Sequence, residues 1–287
     1  MIANLGLNRL LWVVTGGTAI VAAVAGILNP RLYTGLVAEA LLPGALAQDI
    51  ISVLAGIGLL VLAALARPNR RRQQLLALGL LGYLFYAYGI YVIERAYNGL
   101  YLVYLAIFTL AFWSVVYGTA NLRREVMART TMPRGLRVVS AVGALLQPLM
   151  FYPLWIAMLI PLMRDRDQID SLYSIFILDL GFIMPAFLIL AVLVFRNRGA
   201  GLVLLPALYV LGFTLIFSLA LAELVKPVFG TAPDLPALAA AALLSALFLV
   251  LGGLHLRRLE LPQLRADTVE VRPPLEIPGA DGFRRHR

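Results

Sequence analysis

SLYSIFILDLGFIMPAFLILAVLVF, residues 171–195, decides the fold. Asp179 is the one charged residue in it, and the run exceeds the roughly 18 apolar residues that mark a membrane-spanning helix. A transmembrane barrel strand would alternate polar and apolar positions over about ten residues. This run does not alternate, so it reads as a helix, which satisfies its own backbone donors and acceptors inside lipid.

The same signal repeats along the chain. Spans are expected at about 10–28, 49–66, 75–93, 100–120, 138–163, 172–195, 202–222 and 235–256. The 287 residues are 61% hydrophobic and 14% charged, whereas a soluble domain is nearer 45–50% apolar and about 25% charged. Mean hydropathy is +0.88. The fold class is therefore all-α: a polytopic transmembrane helical bundle of about 8 spans, forming one domain over 1–258. Residues 259–287 mix proline, glycine and charges without a period, and are expected to be a disordered cytoplasmic tail.

Charge sets the expected orientation. Arg9, the segments 67–72, 123–137 and 196–198, and the end of the chain hold 19 of the 24 Lys/Arg residues. The alternate connections hold Arg31, Arg95, Arg164, Arg166 and Lys226. Cytoplasmic loops carry the excess of basic residues, so both termini are expected in the cytoplasm. The net charge of +9 is then a topology signal and an attraction to anionic lipid. The lipid bilayer is the expected partner, nucleic acid is not, and protein partners are unknown. A competing reading of the first span is a signal peptide, with Arg9, an apolar run and Ala23-Val24-Ala25 as its cleavage site. The stretch 29–48, NPRLYTGLVAEALLPGALAQ, is apolar for an external loop, which suggests an interfacial or re-entrant helix, or a helix packed over the bundle.

Several chemistries are excluded or unsupported. With no cysteine there is no disulfide or thiolate site. The histidines, His255 and His286, lie at or beyond the end of the last span, which rules out a bis-histidine haem inside the bundle. Neither HExxH nor a Walker loop occurs. No cofactor or metal is expected, and no nucleophile–base set marks an enzyme.

Asp179 is the leading candidate site residue. A carboxylate at a helix centre costs on the order of 2.5–3.5 kcal/mol on insertion scales and faces the bundle interior, often on a solute path. It is followed by Gly181 and Pro185, and Pro185 has no N–H to give the carbonyl of Gly181. The bland reading is an Asp that only fixes helix packing. Its neighbours three and four residues away are Ile175, Phe176, Phe182 and Ile183, so a partner has to come from another helix. Arg95, Gln147 and the tyrosines of the third and fourth spans are the candidates. GYLFYAYGIYVIERAYNGLYLVY (82–104) holds seven of the chain's 12 tyrosines. Tyr97 and Tyr101 suit an aromatic belt at the headgroups. Tyr83, Tyr86, Tyr88, Tyr91 and Tyr104 are candidates for a phenol-lined pocket, with belt and packing as the alternative. Glu223 and Lys226 are spaced to pair.

The stretches GYLFYAYGIYVIERAYNGLYLVYLAIFTLAFWSVV (82–116) and LYSIFILDLGFIMPAFLILAVLVFRNRGAGLVLL (172–205) resemble a group of bacterial multi-span membrane proteins of unassigned function. The tyrosine-rich hairpin and the Asp-Leu-Gly…Pro helix carry the resemblance. It implies a bacterial inner membrane and transfers no activity or site residue. Three functions compete: a transporter-like protein with an outward-opening site for a small molecule or ion at Asp179, a non-catalytic sensor or accessory subunit, and a membrane enzyme on lipid substrates.

Overall fold

Each apolar run closes its own backbone hydrogen bonds as a helix. The computed structural model describes residues 2–165 and 173–262. Eight helices in it are long and apolar enough to cross a membrane, as expected. They are α1 (Leu5–Leu28), α2 (Leu42–Leu65), α3 (Arg71–Ile93), α4 (Tyr101–Ala120), then after a short α5 (Arg124–Ala128), α6 (Arg134–Asp165). The sixth span is broken into α7 (Tyr173–Leu178), a π turn (Asp179–Ile183) and α8 (Met184–Phe195). α9 (Gly199–Val225) and α10 (Leu235–Arg258) complete the bundle. No strand occurs among the described residues.

α3 and α9 form the centre. α9 packs on α2, α3, α8 and α10, and α3 also packs on α4. Their buried side chains are bulky: Tyr83, Tyr88, Leu75, Leu81 and Leu84 from α3, Tyr209 and Leu205 from α9. α1 lies along α2. There a Cβ on Gly56 would fall 2.7 Å from the carbonyl oxygen of Gly16, so the helices touch backbone to backbone. α6 sits at the periphery against α8, with Val139, Leu149, Met150 and Leu154 exposed and Pro148, Pro153 and Pro161 inside it.

The second span starts earlier than the hydropathy suggests. The apolar connector 29–41 forms two single 3₁₀ turns, Pro30–Tyr33 and Glu39–Leu41, rather than the interfacial, re-entrant or packed helix expected there. α2 then begins at Leu42 with Pro43 in its first turn, where a missing N–H costs no hydrogen bond. Asp49, expected at the edge of the span, is instead two turns inside the helix and 2% exposed.

The arginine-rich end is tied together by side chains. The Ile2 N–H donates to Gln74 Oε1 at 2.9 Å, and Gln74 Nε2 donates to the Arg67 carbonyl at 3.1 Å. Arg71 donates to the Pro262 carbonyl and Arg72 to the carbonyls of Arg257 and Leu259. Thr131 and Glu260 bridge backbone to backbone, and Thr131 Oγ1 donates to Glu260 Oε2 at 2.7 Å. Residues 259–262 of the expected tail are therefore held on the bundle, and the rest of the tail lies outside the described residues. Ile2 and Pro262 lie at the same end of the bundle.

Candidate functional site

The π turn sets the position of Asp179. Because Pro185 has no N–H for Gly181, the ladder slips by one residue, and the Met184 N–H donates to the Asp179 carbonyl five residues back. Asp179 is 6% exposed and turned toward α6, where its Oδ2 accepts the Trp155 indole N–H at 2.8 Å. Trp155 is held edge-on to Phe176 at 5.4 Å and tilted against Phe151 at 5.5 Å. The Tyr86 hydroxyl faces the same carboxylate from α3.

Asp179, Trp155, Phe151 and Tyr86 line a cavity of about 490 Å³. Its walls come from α2, α3, α6, the sixth span and α9, and residues 36–38 and 41 of the connector roof it. Since Gly44–Gln48 open α2 while Ile90–Glu94 and Leu215–Leu219 close α3 and α9, the cavity lies in the half of the bundle toward the arginine-poor connections. Most of the lining is apolar, including Leu36, Ile90, Phe151 and Leu219. The polar exceptions are Gln48, Tyr86, Tyr91, Glu94, Gln147, Trp155, Asp179 and Ser218. Among the described residues no Lys, Arg or His lines it.

Four of these groups are committed elsewhere: Ser218 Oγ donates to the Leu215 carbonyl at 2.6 Å, Tyr91 is bonded to Asp49, and Gln48 and Glu94 are bonded to backbone. Gln48 Nε2 donates to the Ala87 carbonyl at 2.9 Å. Glu94 Oε1 accepts the Ser174 N–H at 2.6 Å, in the first turn of α7. Gln147 is different: it is 4% exposed, and its Oε1 has no hydrogen-bond partner among the described residues. A buried amide oxygen left unpaired costs about 1–3 kcal/mol, so it marks a place for a donor.

The candidate residues divide into two groups. Asp179, Tyr86, Tyr91 and Gln147 share the cavity. Tyr83, Tyr88 and Tyr104 lie on the other side of α3, around Asp49. There the Tyr33 hydroxyl donates to Asp49 Oδ2 at 2.6 Å and the Tyr91 hydroxyl to Oδ1 at 3.4 Å. Tyr83 donates to the Gln48 carbonyl at 3.0 Å, Tyr88 to the Ala19 carbonyl of α1 at 3.1 Å, and Tyr104 accepts from Asn98 Nδ2 at 3.3 Å. Tyr91 stacks on Tyr104 at 4.8 Å and on Tyr33 at 5.5 Å. Burial first, and the neighbouring Asp49 carboxylate second, hold the Tyr33 phenol far above its ordinary range, so it serves as a donor. Arg95 does not reach Asp179: it is exposed, in a left-handed turn at φ 56°, and forms no ion pair among the described residues.

Sequence reasoning missed Trp155 and Asp49. It also missed Ser140 Oγ against His255 Nδ1 at 2.6 Å. That pair resembles a nucleophile and base, but both residues are buried and committed to packing. His255 Nε2 bonds the Leu202 carbonyl at 2.8 Å, and Tyr209 donates to the Ser140 carbonyl. The expected Glu223–Lys226 pair forms at 2.6 Å.

No family model matches the chain, and neither the curated proteins nor the solved structures contain a match to it.

Proposed function

We propose that this chain is a transporter-like protein of a bacterial inner membrane that takes a small amphipathic molecule into the cavity beside Asp179. The observation that carries this reading is the meeting of a carboxylate on a broken helix with an unpaired amide oxygen, Asp179 and Gln147, in one drug-sized apolar cavity. Discontinuous helices at polar sites are a recurring device of secondary transporters. A volume of about 490 Å³ falls in the usual range for small-molecule pockets, roughly 300–1,000 Å³. The expected outside location of the arginine-poor connections makes the cavity outward-opening.

A sensor or accessory subunit is the second reading. It uses the same cavity but needs no passage to the other side. Its support is the arginine-rich half, where Tyr209, Ser140, His255 and Leu202 form one closed hydrogen-bonded chain. Flux separates the two. Purified protein in liposomes, challenged with a panel of labelled amphipathic solutes, is expected to accumulate at least one, and Asp179→Asn to abolish that uptake. Binding in nanodiscs without flux in liposomes across the panel selects the sensor.

A further inference from the structure

We infer that the cavity selects an organic monocation with an apolar body, a deduction that rests on the binding role just proposed for it. Charge is the first argument. Asp179 and Glu94 are carboxylates, and no cationic side chain among the described residues lines the cavity to offset them. Asp179 accepts the Trp155 indole N–H and is faced by the Tyr86 hydroxyl, both neutral groups, and Glu94 shares its Oε1 with one backbone N–H. Charge–charge attraction strengthens as water is excluded, and a cation beside Asp179 itself favours the ionised carboxylate, so the two charges offset each other's loss of hydration. An anion would meet two carboxylates, and a neutral apolar ligand would bury Asp179 with no charge or donor facing it.

The remaining lining fits the same class. Tyr86 and Trp155 bring aromatic rings alongside Asp179, the setting in which cations are held over ring faces. The unpaired Oε1 of Gln147 adds the negative end of an amide dipole to the same lining, an attraction that a cation meets with or without an N–H. A bare metal ion is the poorer fit, because no group of three His, Cys, Asp or Glu among the described residues could hold one. The apolar body is dictated by Leu36, Ile90, Phe151 and Leu219. Leu36 and Leu219 are 40% and 55% exposed, so they form the rim over which such a body enters.

Three matched probes test charge at constant shape: phenylpropyl trimethylammonium, its neutral tert-butyl isostere, and phenylpropyl sulfonate. Their affinities are measured on protein in zwitterionic lipid nanodiscs, with empty nanodiscs subtracted. The cation is expected to bind about tenfold or more tighter than the isostere, with the sulfonate weakest. Asp179→Asn is expected to bring the cation down to the isostere's affinity while melting near wild type, because an amide oxygen still accepts the Trp155 N–H. The wild-type ranking requires no variant, so it stands even if Asp179→Asn folds poorly. If isostere or sulfonate binds as tightly as the cation and Asp179→Asn still alters that binding, selection by charge is overturned while the cavity keeps its role. If none of the three binds, or Asp179→Asn changes nothing, both the inference and the binding reading fall.

Discussion

Asp49 shows what a single side chain demands of its neighbours inside a membrane. Its carboxylate is accommodated because Tyr33 and Tyr91 both donate to it and because Gly26 leaves room. A Cβ at Gly26 would stand 2.1 Å from Asp49 Oδ2 and 2.5 Å from the Tyr33 hydroxyl. Tyr33→Phe removes the shorter hydrogen bond and is expected to lower stability by about 1–2 kcal/mol. Gly26→Val forces α1 away from α2 and is expected to cost more, about 2–3 kcal/mol. Thermal unfolding in nanodiscs checks both, and a Gly26→Val melt equal to that of wild type would contradict the contact. Asp179 was legible in the sequence because it stands alone in an apolar run. Asp49 was not, because an apolar connector ran straight into its helix and left it at the apparent edge. Trp155 gave no signal either: in LQPLMFYPLWIAMLIPLM an aromatic reads as lipid-facing, and only the π turn on another helix brings a carboxylate to its N–H.

Among the elements, the broken sixth span has the clearest consequence. A π turn holds one residue more than the α-helix it interrupts. Deleting Leu180 is expected to regularise the span and rotate Asp179 by about 100° relative to α8, the angle of one residue in a 3.6-residue turn. The helix persists while Trp155 loses its acceptor. The checkable result is an unchanged helical circular dichroism spectrum together with loss of the cation's binding. The eight spans themselves were legible because hydropathy alone defines them. Their pairing was not, since glycine contacts such as Gly16 with Gly56 leave no trace in hydropathy. α1 bears on the signal-peptide reading. Its Ala19 carbonyl receives Tyr88, and Ala23, within the apparent cleavage site, is fully buried. A chain lacking residues 1–28 uncovers Asp49 and strips Tyr88 of its acceptor. It is expected to give no monodisperse protein on size exclusion, whereas the full chain does.

For the molecule as a whole, orientation is the property most open to direct measurement. The chain has no cysteine, so a single introduced thiol reports without background. Ala40 and Asn69 are exposed on opposite ends of the bundle. In intact cells a membrane-impermeant maleimide is expected to label Ala40→Cys, and to label Asn69→Cys only after permeabilisation. The reverse pattern would turn the arginine distribution, and with it the outward opening of the cavity, upside down.

α6 has a further consequence for any such measurement. At 32 residues and 1.5 Å rise per residue it is about 48 Å long, against a hydrocarbon core of about 30 Å. Such a helix has to lean or protrude, and the thickness of the host bilayer sets how far it does. α6 carries Gln147, Phe151 and Trp155 into the cavity while its outer side faces lipid. Acyl-chain length is therefore a variable acting on the width of the site: the same protein, reconstituted in short-chain and long-chain lipid, presents Trp155 to Asp179 under two different mechanical loads.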